Sequence, residues 1–112
     1  MKKNFLCAIL CFNNEKIIQK LINDINSFNR LDKIDKIFID DCSTDSTNLI
    51  LNQNNLQTIK HNTNLGYGQA VKSAFEFAKE KNFDYLCIFP GDYQRSLEDL
   101  SYMINLHSEN EY

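Results

Sequence analysis

Residues 5–28 read FLCAILCFNNEKIIQKLINDINSF. The first seven are apolar without alternation, the pattern of a parallel strand covered on both faces rather than one half-exposed to water. Beyond Asn13 and Asn14 the period changes. Ile17, Ile18, Leu21, Ile22 and Ile25 recur at helical spacing, with either asparagine available as an N-cap. A strand buried on both sides and followed at once by an amphipathic helix needs further strands beside it, and so points to an α/β sheet.

The remainder of the chain repeats that alternation. KIDKIFIDD (33–41) is a second strand ending on two acids, and STDSTNLILNQN (43–54) a cap followed by a short helix through Leu49, Ile50 and Leu51. LQTIKHN (56–62) is a short third strand. GQAVKSAFEFAKEKN (68–82) carries Ala70, Ala74, Phe77 and Ala78 on one stripe, an amphipathic helix with a small-residue contact face. FDYLCIF (83–89) is a fourth strand, and SLEDLSYMINLHSENEY (96–112) a last helix. The order predicts a mostly parallel sheet with helices on both faces, without repeat or linker.

Composition narrows the function. A chain of 112 residues with 43% hydrophobic and 24% charged residues is one globular domain, not a disordered segment. A net charge of −3 leaves no basic footprint, which argues against nucleic acid as a partner. Any phosphate must be met locally, by backbone donors, a lysine or a metal. Cys7, Cys11, Cys42 and Cys87 form no CxxC pair and share no motif with His61 or His107, so a structural zinc site is not expected. Three of them sit in or beside apolar runs and read as small core residues of a reducing cytoplasm. The opening MKKNFLCAILCF superficially suggests a signal peptide, but its apolar stretch runs into Asn13-Asn14-Glu15 without a small-residue cleavage site. No segment approaches the ~20 apolar residues of a membrane span.

Ligands of parallel α/β sheets bind beyond the carboxyl ends of the strands. Cys11 to Glu15 follow strand one, Asp40 and Asp41 end strand two, Asn62 to Gly68 follow strand three, and Asp92 follows strand four. The topology thus brings three carboxylates and a glycine-containing loop to one edge. Each has a bland reading as well. Asp40 and Asp41 with Ser43, Thr44 and Asp45 suit a turn and helix cap, GYG at 66–68 suits a tight turn as well as a phosphate, and Lys72 suits a solvated helix face. The stretch from Asp41 departs from a calcium loop, because Ser46 and Asn52 replace the required glycine and glutamate. Asp92, directly after Pro90-Gly91, has the least structural excuse and is a good hard-metal ligand.

IFIDDCSTDST together with HNTNLGYGQAVKSAFEFAKEKNFDYLCIFPGDYQ resembles the core of the family 2 glycosyltransferases, inverting enzymes of the GT-A fold, and is nearest to their dolichyl-phosphate mannosyltransferase-like branch. The likeness runs from CFNNEK to YQRSLEDL. It implies a Rossmann-like nucleotide-binding half and a UDP- or GDP-sugar donor. The acceptor is unspecified, with a lipid-linked one in view. By this likeness Asp40 and Asp41 match acids that accept a hydrogen bond from the nucleobase ring, and Cys11, Asn13 and Glu15 lie in a loop that also touches the base. Asn64, Gly66 and Ala70 match an N-x-G-x-x-x-A element, and Lys72 sits where some relatives carry a basic residue near the diphosphate. Asp92 matches the second acid of a D-x-D motif that binds Mg²⁺ or Mn²⁺. Pro90 stands in place of the first acid, and Asn13 where many relatives have a base-stacking tyrosine.

The family's general base lies further along the sequence than Tyr112, so the resemblance names no catalytic residue here. It implies the nucleotide-sugar-binding N-terminal portion of a larger domain, inactive alone. A role in cell-envelope polysaccharide or lipid-linked sugar synthesis, on the cytoplasmic side and peripheral to the membrane, is the expectation. Two other readings stay open: a non-catalytic nucleotide-binding or interaction module and, less favoured, a receiver-like signalling domain. The latter would want its acid pair after strand one, where this chain has Asn14 and Glu15.

Overall fold

A computed structural model describes residues 4–27, 34–92 and Leu97. In chain order they form β1 (Phe5–Cys11), α1 (Glu15–Ser27), β2 (Asp35–Asp40), α2 (Thr47–Gln53), β3 (Thr58–Lys60), α3 (Tyr67–Glu80) and β4 (Tyr85–Pro90). All strands run parallel, in the order β3-β2-β1-β4. The chain therefore starts in the middle of the sheet, builds outward to β3, and then returns to the far side of β1. That reversal makes the gap beyond the carboxyl ends of β1 and β4 the switch point, where a crevice opens in such sheets.

Burial explains the unbroken apolar run of β1. Leu6, Cys7, Ala8 and Ile9 are each at most 3% exposed, because the strand is paired on both edges and covered on both faces. Cys7, Ile9 and Cys11 pack with Phe38 and Phe89 against Ile18, Leu21, Ile22 and Ile25 of α1 and Leu51 of α2. Leu6 and Ala8 point the other way and pack with Ile37 and Ile39 against Ala70, Ala74 and Ala78 of α3. Alternate residues of each strand thus feed opposite cores. The alanine stripe brings α3 close to the sheet with little side-chain entropy to lose.

Element boundaries differ from the sequence expectation at three points, each for a local reason. β3 is only three residues long, because Leu56 leaves the strand to pack against the α1 core and His61 turns to β2, its amide donating to the Asp40 carbonyl at 2.8 Å. Both α2 and α3 end in Schellman turns: Leu56 N–H reaches the Leu51 carbonyl and Phe83 N–H the Ala78 carbonyl, with Asn55 and Asn82 at positive φ. Pro90 ends β4 as a strand residue rather than breaking it. The flanking amide of Gly91 donates to the Leu10 carbonyl at 2.8 Å, so strand alternation aims the Pro90 nitrogen away from β1, where no donor is needed. The expected helix over 96–112 lies outside the described residues apart from Leu97, which is buried in the α1 core.

Gly91 is fixed by space. A Cβ there would stand 2.6 Å from the Leu10 carbonyl oxygen and 2.9 Å from Asn14 Nδ2. At Gly68, in the first turn of α3, a Cβ meets nothing within 4 Å. Gly91→Ala should therefore cost about 1–3 kcal/mol, the usual range for overpacking. Gly68→Ala should be neutral or stabilising by up to about 1 kcal/mol. Urea unfolding of both variants checks this, and equal midpoints would contradict the close approach of the β1 and β4 ends.

Candidate functional site

Asp41 follows β2 and belongs to the α3 side of the sheet, in step with Ile37 and Ile39. Its amide donates to the Cys11 carbonyl at 3.0 Å, tying the β2 end to the β1 end. Its carboxylate accepts three bonds: Oδ1 from Leu65 N–H and the His61 ring, both at 2.8 Å, and Oδ2 from Gly66 N–H at 2.9 Å. Gly66 can present that amide because it holds φ 90°, a conformation costly for any residue with a Cβ. The amide before α3 is therefore met by the protein's own carboxylate. Burial alone would raise the Asp41 carboxyl, but the His61, Leu65 and Gly66 donors outweigh it and hold the group below the ordinary aspartate value.

Asp40 takes the opposite face. It is fully buried, and its Oδ1 accepts from both the amide and the hydroxyl of Ser43 while Oδ2 has no partner among the described residues. The loops after β1 and β2 then lock together around it. Asn13, at φ 48°, donates its amide to Ser43 Oγ and accepts from Thr44 N–H at 2.7 Å. Glu15 Oε2 accepts from Ser46 N–H at 2.9 Å, and Asp45 Oδ2 accepts from Glu15 N–H at 3.2 Å, so each loop serves the helix start of the other. Asp45 Oδ1 also caps Thr47 N–H at 2.9 Å, as its place in the sequence suggested. Burial raises the Asp45 carboxyl, but bonds from Thr47 and Glu15 prevail and lower it. Asn14 holds the N-cap position of α1 through its carbonyl, whereas its side chain reaches across to the Gly91 carbonyl at 2.9 Å.

An open cavity of about 360 Å³ lies at the switch point. That suits a nucleoside-sized group, since ligand pockets start at about 300 Å³. Of the residues expected at the site, Cys11, Asp41, Asn64, Gly66 and Asp92 line it. Asn13, Glu15 and Asp40 are engaged in the loop lock and do not, and Lys72 is exposed on α3 away from it. Cys11 is a wall, not a nucleophile: burial, and then the Asp40 charge, push its thiol far up. Sequence reasoning singled out neither Tyr67 nor His61, and Asn14 only as part of the loop from Cys11 to Glu15. Tyr67 and Phe12 line the cavity while 65% and 46% exposed, which offers a base two aromatic faces. The signal for Tyr67 was its place between the two glycines at the helix start. His61 had no motif to mark it.

Asp92 is exposed at the end of β4 beside the cavity. No group of three or more His, Cys, Asp or Glu side chains suited to a metal occurs among the described residues. The donor set therefore fits a hard cation only where the nucleotide phosphates complete its shell, as Mg²⁺ with one protein carboxylate allows. Among the described residues no helix is long and apolar enough to cross a membrane.

A parallel sheet with its cavity at the switch point, walled by a buried acid and a glycine-started helix, has the arrangement in which open α/β sheets hold their ligands. The model of the family described as Glycosyl transferase family 2 matches residues 7–112, and the chain belongs to that family. Among solved structures, S. aureus TarS aligns with a TM-score of 0.66 and 24% identity, covering 93% of this chain and 20% of TarS. S. aureus TarS 1-349 in complex with UDP-GlcNAc gives 0.67 and 25%, covering 93% and 32%. Mannosyltransferase PcManGT from Pyrobaculum calidifontis, in complex with GDP-Man and Mn²⁺, gives 0.60 and 18%, covering 70% and 25%. The fold is thus that of GT-A glycosyltransferases, and the chain spans a third or less of the length of these structures. A comparison with curated protein sequences gives no match.

Because Asp41 and Asp45 are both depressed in the folded state, their protonation favours the unfolded chain. Their contribution is complete above the ordinary aspartate value of about 3.9 and is lost as pH falls from there through the folded values. The urea midpoint should drop below about pH 4. Asp45→Asn keeps the Thr47 cap but loses the charge and the bond from Glu15, so it should lower the midpoint at neutral pH and flatten the drop below about pH 4. An unchanged acid slope in this variant would remove Asp45 from the linkage.

Proposed function

We propose that this chain is the nucleotide-sugar-binding portion of an inverting glycosyltransferase. The donor lies along the edge formed by Cys11, Asp41, Asn64, Gly66 and Asp92. The observation that carries the reading is the Asp41 carboxylate, ionised, held by three donors and set in the wall of the switch-point cavity. About four acceptor positions belong to a carboxylate, and three are used, which leaves one for a ring N–H of a base such as uracil or guanine. Phe12 and Tyr67 supply faces for the base, and Asp92 would hold Mg²⁺ or Mn²⁺ against the diphosphate. A divalent ion there supplies Lewis-acid stabilisation of the leaving nucleoside diphosphate.

Donor complexes of two neighbours, UDP-GlcNAc with TarS and GDP-Man with Mn²⁺ on PcManGT, support the donor class. The sequence motifs favour the dolichyl-phosphate mannosyltransferase-like branch and a part in cell-envelope or lipid-linked sugar synthesis at the cytoplasmic face of the membrane. Asn13, Glu15, Asp40 and Lys72 act at one remove, the first three by holding the loops that frame the base. No residue of this chain is assigned as the general base, and the proposed role is donor binding. Pro90, with no side-chain oxygen in the first D-x-D position, favours a second reading: a metal-independent nucleotide-binding module.

Thermal shift with millimolar UDP- and GDP-sugars tests the binding. Ligand at a hundredfold over its dissociation constant should add about 2.7 kcal/mol of stability. No shift with either donor would overturn the proposal. Calorimetry with UDP or GDP and Mn²⁺ then decides the metal. Asp92→Asn should lose roughly ten- to hundredfold in affinity, the size of about 1.5–3 kcal/mol for a lost charged partner, and Asp45→Asn should lose none. Wild-type binding indifferent to EDTA would favour the metal-independent module.

A further inference from the structure

His61 stands just beyond β3, 7% exposed, with its ring spanning two side chains. Nδ1 lies 2.8 Å from Asp41 Oδ1, and Nε2 lies 2.9 Å from Ser73 Oγ on α3. A carboxylate can only accept, so Nδ1 must carry the proton and donate. In the Nδ1–H tautomer, Nε2 accepts a hydrogen bond from the Ser73 hydroxyl. The three groups form a directed chain, Ser73 O–H to Nε2 and Nδ1–H to Asp41, joining α3, the β3 end and the β2 end.

The other two donors to Asp41, the amides of Leu65 and Gly66, both come from the loop entering α3. They engage both oxygens, Leu65 on Oδ1 and Gly66 on Oδ2, but from a single loop. His61 is the donor from a separate element, and it ties that grip to the β3 end, so that the carboxylate plane is held from two elements rather than one. It also keeps the group acceptor-only in a buried place where an unpaired charge would tend to gain a proton.

We infer that His61 is a positioning residue: braced on Ser73, it fixes the Asp41 carboxylate so that the cavity meets an acceptor and not a donor. Resting on the donor-site reading above, this makes His61 a determinant of base class. A base with a ring N–H, as in UDP, finds its partner. Cytosine, which offers a ring acceptor at the same position, does not. Without His61, Asp41 keeps only the two amides of the α3 entry, it turns and takes a proton more readily, and the discrimination narrows.

The test uses the full chain with UDP and CDP as probes, wild type beside His61→Leu, His61→Asn and Ser73→Ala. Calorimetry gives both affinities, urea unfolding the stabilities, and ¹⁵N NMR of the free protein the imidazole tautomer. The free wild type should show the Nδ1–H form. His61→Leu should bind UDP roughly tenfold more weakly and lose a similar factor of its UDP-over-CDP preference, the size of one hydrogen bond to a charged group. His61→Asn, whose amide N–H stands near the Nδ1 position, should recover most of both.

Ser73→Ala should shift the preference in the same direction by less, and it carries the comparison if His61→Leu does not fold. An Nε2–H tautomer in the wild type would overturn the clamp. Wild-type preference in a folded His61→Leu, or in Ser73→Ala where His61→Leu does not fold, would overturn the role in base choice. Absence of binding by the wild type to either nucleotide would refute the donor-site reading and the base role built on it, while the tautomer still decides the clamp.

Discussion

The carboxylate of Asp41 is the point at which the sheet, the third helix and the cavity are joined. It sits where burial opposes charge, and it stays charged because three N–H donors converge on it. Each donor gains in turn. Leu65 and Gly66 have amides before the first turn of α3 that would otherwise need water, and the His61 ring would otherwise be a polar group in a nearly dry place. One side chain thus satisfies a helix entry, a strand exit and a histidine. The wall of the cavity is set as a consequence, since Asp41 cannot move without releasing α3.

The opposite face of the same edge is organised by exchange between loops. The side chains of Asp45 and Glu15 each serve the other loop's helix start, Asn13 bridges to Ser43 and Thr44, and Asn14 spans from α1 to Gly91 beyond β4. Isolated polar turns of this kind are individually weak, each bond being worth about 1 kcal/mol net. Here they link three strand ends that the sheet has already placed in register, so the entropy of bringing them together is largely met by the core. The result is a framed edge.

Two cores of different grain keep that frame in place. On the α1 side, isoleucines, leucines and two phenylalanines fill the space between helix and sheet. On the α3 side, alanines meet Ile37 and Ile39 directly, so the helix lies close to the strands and carries its first turn to the cavity rim. The close contact also brings Ser73 within reach of His61. A bulkier stripe on α3 would push the helix outward and separate that pair.

The order of strands and helices was legible in the sequence because the two periods, continuous apolar runs and helical spacing, are imposed by burial on each element separately. The edge on which Cys11, Asp41, Gly66 and Asp92 gather was legible for the same reason: in a parallel sheet every strand exits on one side. What the sequence could not assign was the division of labour among the polar residues there. Asp40 and Asp41 are neighbours of one kind, yet strand alternation sends one into the loop lock and the other to the cavity. Asn13 and Glu15, expected in a loop that touches the base, are bonded in the structure to Ser43, Thr44, Asp45 and Ser46, 30 or so positions along the chain. His61 carried no motif because its partners, Asp41 and Ser73, lie 20 and 12 residues away and come together only across β2, β3 and α3. Burial writes its period into the sequence locally, whereas a hydrogen bond between distant elements has no period, and only the packed sheet decides which donors and acceptors meet.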